Sequence, residues 1–313
     1  MSIPVFSGAD VERAVSPHQA FEAVKAAFVA HARGEWTMQP KLYVTNYPAG
    51  DFRAMPALGG GHALLKWVTS FPGNPAKGLP TVTGLVILSN AETGQLEALL
   101  DAAAVTALRT AAAAVIAAEA LARAGAESVA VIGCGVNGAE TARMFRALGR
   151  DVALWDVDQA RAAAVAGYLG ARVAPSLAAA LDSDIVVTVT PGKDVLIPAG
   201  TLRIGQHVCL MGADGPGKCE IDPREIARTH VFCDEWAQAS HAGELQHSVR
   251  EHLVKREQVT QLGDVLAGLA PGRANGKEIT TFDSTGLAIQ DLALALAVLE
   301  QVGELENVLE LPL

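Results

Sequence analysis

The chain has 313 residues, half of them hydrophobic and 19% charged, with a formal net charge of −10. So large a hydrophobic share excludes a disordered chain and supplies core for two domains, or for one large α/β domain. The acidic balance argues against nucleic acid as a partner, because phosphate binding needs clustered Lys and Arg, and no run of like charge marks a membrane-surface patch.

The opening segment, MSIPVFSGADVERAV, lacks a basic stretch followed by an apolar core, and Cys134, Cys209, Cys219 and Cys233 show no C-x-x-C spacing. Both features lead to the expectation of a cytoplasmic protein with reduced cysteines. Residues 10–33 carry a helical period: Ala20, Phe21, Val24, Ala27 and Phe28 share a face, and Ser16-Pro17 offers an N-cap and a first-turn proline. From Lys41 to Leu100 the pattern changes to short strands, KLYVTNY, ALLKWVTSF, TVTGLVILSN and QLEALLD, separated by the turn clusters PAGD, PGNPAKG and NAETG. That predicts a mostly antiparallel sheet. VTALRTAAAAVIAAEALARAGA is interrupted by Arg109, Glu119 and Arg123 and reads as a buried Ala-rich helix, not a membrane span.

From residue 128 to about 235 strands alternate with helices, the latter expected at 137–149 and 159–169. Alternating βαβ units imply a parallel, doubly wound sheet. DLALALAVLEQVGELENVLEL is expected to be a helix that returns to the first domain.

The run VAVIGCGVNGAETA places Gly133, Gly135 and Gly138 in a G-x-G-x-x-G pattern after an apolar strand and before a helix. Such a loop permits a tight turn, a close approach of pyrophosphate to the backbone, and close packing of helix on strand. Glycine-rich turns are common, so the pattern gains weight from Asp156, which ends the next strand 23 residues after Gly133. An acid there grips ribose hydroxyls. Asp156 would repel a 2′-phosphate, and WDVDQA offers no basic residue to hold one, so NAD is expected rather than NADP.

Isolated cations stand in apolar settings in the first half: Lys41 in QPKLYV, Arg53 in DFRAMPA, Lys66 in ALLKWV and Arg109 in VTALRTAA. They are either independent surface salt bridges or a converging set that demands an anion such as a carboxylate. Asp214 in MGADGPGK follows a strand end, where open α/β sheets bind ligands, and is either a turn former or a general acid/base. His241, His247 and His252 are spaced six and five apart, which puts no two on one helical face as metal ligands, and no metal is expected. Trp67 and Trp155 read as core residues, and Cys134 as a small space-filler.

These segments together resemble the ornithine cyclodeaminase/μ-crystallin family. Lys66 with GNPAKGLPTVTG after it, TALRTAA around Arg109, VIGCGVNGA, MGADGPGKCEID around Asp214 and ITTFDSTGLAIQDLA around Ser284 run in the family's order and cover nearly the whole chain. The resemblance implies a Rossmann-type doubly wound parallel sheet at residues 116–287. It also implies a mixed α/β substrate-binding and dimerisation domain, formed by 1–115 with 288–313, that makes a homodimer by joining sheets. It makes Lys66 a contact of the substrate carboxylate, puts Arg109 against both substrate and cofactor, and makes Asp214 the acid/base, with Lys41, Arg53, Lys218 and Thr285 on the substrate side. Thr81, Val136, Asn137, Thr190 and Ser284 join the three glycines and Asp156 at cofactor-contact positions.

Two departures bear on the substrate, a small amino or imino acid. Lys41 stands where the family usually has arginine and lacks its bidentate fork. Arg53 stands where ornithine-cyclising members align a glutamate, and would repel a side-chain ammonium by roughly 1–4 kcal/mol at contact. The expected activity is therefore an imine reductase or amino-acid dehydrogenase that transfers hydride at Cα. The alternatives are ornithine cyclodeaminase, an ammonia-lyase that recycles NAD, and a non-catalytic μ-crystallin-like binding protein.

Overall fold

The computed structural model describes residues 2–192 and 194–312. The chain divides into two compact units, Met1–Arg109 with Leu287–Leu313, and Thr110–Gly286. The passage from one to the other lies within a single helix, Ala102–Leu121. That helix is long and apolar enough to span a membrane, but 83% of its most apolar window is buried in the protein, as a core helix requires.

The first unit holds strands β1 (Ser2–Phe6), β2 (Thr37–Met38), β3 (Leu42–Asn46), β4 (Gly50–Gly59), β5 (His62–Ser70), β6 (Val82–Asn90) and β7 (Leu96–Asp101). The C-terminal strand Leu309–Pro312 joins their sheet at the outer side of β1, and the order then runs β1-β7-β6-β5-β4-β2, with β3 also on β4. The pairs are antiparallel except β1 with β7. Strand periodicity sorts the faces. Met55 and Ala57 on β4, Leu64 and Val68 on β5, and Val86 and Leu88 on β6 are buried, and helix Ala288–Glu300 packs against all three strands. Arg53 and Lys66 lie in register with this buried set. The alternate residues Leu42, Val44, Leu58, Leu65, Trp67 and Leu85 are exposed.

Two expectations need correction here. The helical period over 10–33 belongs to two helices, Gly8–Ala14 and Pro17–Ala32. Pro17 cannot continue a preceding helix, and the Ser16 and Gln19 side chains form a capping box that starts a new one. At the C-terminus the helix stops at Glu300, a short turn runs over Val302–Glu304, and Leu309–Pro312 pairs antiparallel with β1. Gly303 weakens the helix, and the edge of β1 offers backbone partners to the last residues of the chain.

The second unit holds β8 (Ser128–Ile132), β9 (Asp151–Trp155), β10 (Arg172–Val173), β11 (Ile185–Thr188), β12 (His207–Leu210), β13 (His230–Cys233), β14 (Val259–Gln261) and β15 (Thr280–Asp283). Their order is β10-β9-β8-β11-β12-β15-β13-β14, and every neighbouring pair is parallel. This is the doubly wound α/β sheet expected from the alternating pattern. Its order reverses at β8, between β9 and β11, and the carboxyl ends of strands at such a switch point are where open sheets bind ligands.

Candidate functional site

The glycine loop follows β8. Gly133 adopts φ +100°, and a Cβ there would stand 2.5 Å from the Val189 carbonyl oxygen. A Cβ on Gly138 would stand 1.8 Å from the Gly133 carbonyl oxygen. The fold itself therefore demands the first and third glycines. Gly135 is different: a Cβ there would meet nothing within 4 Å, so no atom of the chain requires glycine at that place. Close approach of a pyrophosphate would. Gly135 is also the N-cap of helix Val136–Ala147 and provides no side-chain cap, so the first-turn N–H groups remain suited to an anion. Val136 is 74% exposed and Asn137 half-buried on that first turn.

Asp156, 5% exposed, follows β9 and binds the loop. Its Oδ2 accepts the Cys134 N–H at 2.7 Å and its Oδ1 the Asp158 N–H at 2.8 Å. Burial and the Asp156 charge push the Cys134 thiol up to about 12, which leaves it unreactive. A basic residue lies nearer Asp156 than the sequence indicated. One helical turn brings the Arg161 guanidinium to 3.7 Å from Asp156 and 3.3 Å from Asp158.

The remaining predicted residues of this unit also follow strand ends. Thr190, past β11, donates its N–H (2.9 Å) and hydroxyl (2.6 Å) to Glu220 Oε1. Asp214, past β12, pairs with Lys218 at 2.5 Å, and the two side chains keep 34% and 29% of their exposure. Asp214 is thus an accessible carboxylate with a cation beside it. Ser284 and Thr285, past β15, are each 3% exposed. Their hydroxyls, at 3.3 Å and 3.1 Å, and the Thr285 N–H, at 2.7 Å, are donated to Asp234. These two hydroxyls are bound inward.

In the first unit Lys66 and Arg109 converge on one carboxylate, and the Arg53 charge bears on Lys66. Lys66, 1% exposed, donates to Asp291 Oδ1 at 2.8 Å and to the Thr106 hydroxyl at 2.7 Å. Arg109 Nε lies 3.4 Å from the same Asp291 oxygen, a charge contact without hydrogen-bond alignment, and its Nη1 donates weakly to Gln290 Oε1 at 3.5 Å. Arg109 Nε, Gln290 Nε2 and Asp291 Oδ2 are buried without hydrogen-bond partners among the described residues. Arg53 is forked onto Asp51, with Nε at 2.6 Å and Nη2 at 3.3 Å, and lies 5.4 Å from the centre of the Tyr43 ring. Lys41 precedes β3 and Thr81 precedes β6, both half-buried; the Thr81 carbonyl accepts the Phe71 N–H at 2.8 Å. Neither Asp51 nor Asp291 was singled out in the sequence. Asp51 could have been, since i and i+2 share a face of a strand. Asp291 offers no local signal.

Lys66 and Arg109 thus share one carboxylate, Asp291, which leaves a buried excess of positive charge among the described residues. Burial lowers the Lys66 ammonium to about 8, opposed by Asp291 and reinforced by Arg109 and Arg53. An arriving anion would reverse that shift and engage the unpartnered donors.

Residues 4–306 match the Ornithine cyclodeaminase/mu-crystallin family. The alanine dehydrogenase of Archaeoglobus fulgidus is 41% identical over 309 residues, 96% of this chain and 95% of that protein. Among solved structures, an archaeal alanine dehydrogenase dimer with bound NAD superposes with a TM-score of 0.94 at 38% identity, covering 100% of this chain and 99% of that one. The iminosuccinate reductase of Paracoccus denitrificans in complex with NAD+ does so with a TM-score of 0.91 at 30% identity, covering both chains fully. A glycine loop, a strand-end Asp156 and a buried cation cluster, in a chain matched almost end to end, establish it as a member of the ornithine cyclodeaminase/mu-crystallin family.

Proposed function

We propose that this protein transfers hydride between NAD(H) and the Cα of a small amino or imino acid, as an imine reductase or amino-acid dehydrogenase. The observation that carries the reading is the buried excess of positive charge around Lys66, Arg109 and Asp291, with unpartnered polar atoms in it. A substrate carboxylate is the anion that would complete it. The loop Gly133–Gly138 with Asp156 takes the dinucleotide, which when bound supplies or accepts the hydride. Val136, Asn137, Thr190, Ser284 and Thr81 serve its binding. Arg161 is already met by Asp156 and Asp158, so a 2′-phosphate would face carboxylate first, and NAD is preferred over NADP.

The chain's own residues do the rest. Lys66, Arg109 and Lys41 hold the carboxylate and so fix which face of Cα is presented, and orientation of this kind supplies much of an enzyme's rate. Asp214 exchanges the proton that accompanies imine–amine interconversion. Lys218 stands beside it at 2.5 Å. Thr285 supports this side through its bond to Asp234.

Arg53 was the sequence argument against a cationic side chain such as that of ornithine. Its fork onto Asp51 offsets part of that charge, so the lyase reading has to be tested beside the reductase. The test follows NADH oxidation with a panel of cyclic imines and of 2-oxo acids plus ammonia, and separately measures ammonia release from ornithine with NAD. We expect NADH oxidation with at least one uncharged or anionic imine and little ammonia from ornithine. Efficient release from ornithine would make the protein a cyclodeaminase instead.

The Lys66 ammonium adds a pH signature. Carboxylate binding needs the charged form, which is lost as pH rises through about 8. kcat/KM for the imine should therefore fall above that pH, with the loss carried by KM. A profile flat to pH 10 would remove Lys66 from the substrate site.

The exposed sheet face supports a homodimer. Leu42, Val44, Leu58, Leu65, Trp67 and Leu85 are 37–58% exposed on β3 to β6, with Phe52 stacked on Trp67 at 5.8 Å. A contiguous apolar face of this kind needs a cover, and a second copy is the proposed one. The four cysteines are free, which suits the cytoplasm. Light scattering should give twice the 32.5 kDa of the chain, and Leu65→Glu with Trp67→Glu should give a monomer. A monomeric unmodified protein at micromolar concentration would contradict the assembly.

A further inference from the structure

The loops after β11, β12 and β15 carry Thr190, Asp214 and Ser284, and these three strands are neighbours in the sheet. Behind the loops lie carboxyl groups that the reading above leaves without a task. Glu220 and Glu244 are fully buried and Asp283 is 1% exposed. Glu220 receives four hydrogen bonds. Its Oε1 accepts the N–H and hydroxyl of Thr190, and its Oε2 accepts the Thr188 hydroxyl at 2.7 Å and the Gly212 N–H at 2.9 Å. Gly212 stands two residues before Asp214, and a Cβ on it would come within 2.4 Å of the Glu220 carboxyl carbon, so glycine is required for the contact. One carboxylate thus holds both loops.

Glu244 lies on the other side. Its two oxygens accept the Glu220 N–H at 2.8 and 2.9 Å, and Ile221 N–H approaches one of them at 3.4 Å. Next in line, Asp283 Oδ2 accepts the Leu245 N–H at 3.0 Å, and Asp283 Oδ1 has no hydrogen-bond partner among the described residues.

We propose that Glu220 is a positioning residue of this enzyme: as a carboxylate it clamps the loops of Thr190 and Asp214 in one register. The inference rests on the proposed function for what those two residues contact. Burial raises the Glu220 carboxyl too, but the hydrogen bonds from Thr190, Thr188 and Gly212 oppose the rise, and with two donors on each oxygen no lone pair is left for a proton. Glu244 accepts only the Glu220 N–H, shared between its two oxygens, and a long bond from the Ile221 N–H, and has room for a proton. Burial with Glu220 and Asp283 nearby pushes its carboxyl well above the usual range, and Asp283 is pushed up in the same way. Adjacent buried carboxyls do not all ionise. Glu220 keeps the charge and Glu244 carries a proton.

The two acids are equally buried, so an amide in place of each separates clamping from packing. In Glu220→Gln one oxygen becomes an NH2 group facing the N–H of Thr190 or of Gly212, and that loop is released. In Glu244→Gln an amide replaces a neutral acid. With both variants checked for folding by thermal unfolding, NADH affinity is read by fluorescence titration, and kcat and KM are measured with the imine found in the panel. We expect Glu220→Gln to weaken NADH binding or lower kcat by about tenfold or more, the cost of one unsatisfied buried donor, and Glu244→Gln to stay within about threefold. Equal losses in the two, or normal binding and kinetics in folded Glu220→Gln, would overturn the inference. If Glu220→Gln does not fold, Thr188→Val removes one donor to Glu220 and touches neither loop. NADH binding weakened about threefold would support the clamp, and unchanged binding would overturn it. A protein that binds NADH but reduces no imine would sink the functional reading alone, since the contrast in NADH affinity still judges Glu220.

Discussion

A lysine ammonium at 1% exposure is the constraint around which the first unit is built. Such a charge is tolerated only against a partner held in place, and removing one member of a buried pair costs about 3–5 kcal/mol. The partner is Asp291, 225 residues along the chain, on the helix Ala288–Glu300 that packs on β4, β5 and β6. The return of the C-terminal segment to the N-terminal sheet is thus an electrostatic requirement as much as a hydrophobic one. The helix supplies the apolar face that covers Met55, Leu64 and Val86 and the carboxylate that permits Lys66 among them. Arg109 approaches the same carboxylate, so one anion serves two cations and positive charge is left over.

The second unit works by other means. Several of its strand-end loops are fixed from behind by a buried acid. Asp156 holds the glycine loop, Asp234 holds Ser284 and Thr285, and Glu220 holds Thr190 and Gly212. Loops at the carboxyl ends of parallel strands have few backbone partners of their own. Carboxylates that accept several N–H groups replace the ladder that ends there. Asp214 differs from these acids in keeping a third of its side chain accessible, a contrast in environment on which its proposed role as acid/base rests.

Much of this was legible in the sequence where the signal is local. The glycine loop, Asp156 one strand later, and the change from period two to alternating strands and helices each arise within a short window. The buried cations Arg53, Lys66 and Arg109 were legible as charges in apolar settings. Their partners were not. Asp291 reaches Lys66 only through the fold, and Glu220 in GKCEID looks like part of a turn until Thr188, Thr190 and Gly212 close around it. Asp51 was one strand period from Arg53 and could have been paired with it. The C-terminal residues misled for a different reason: Val308, Leu309 and Leu311 continue an apolar run that suits a helix or a strand, and only the free edge of β1 decides between them.

Hydride transfer at Cα is the claim on which the functional account stands, and isotope tracing tests it most directly. With NADH deuterated at the transferable C4 position and the imine identified by turnover, mass spectrometry of the amino-acid product should find one deuterium, located at Cα. Product formed without deuterium at Cα would contradict the account.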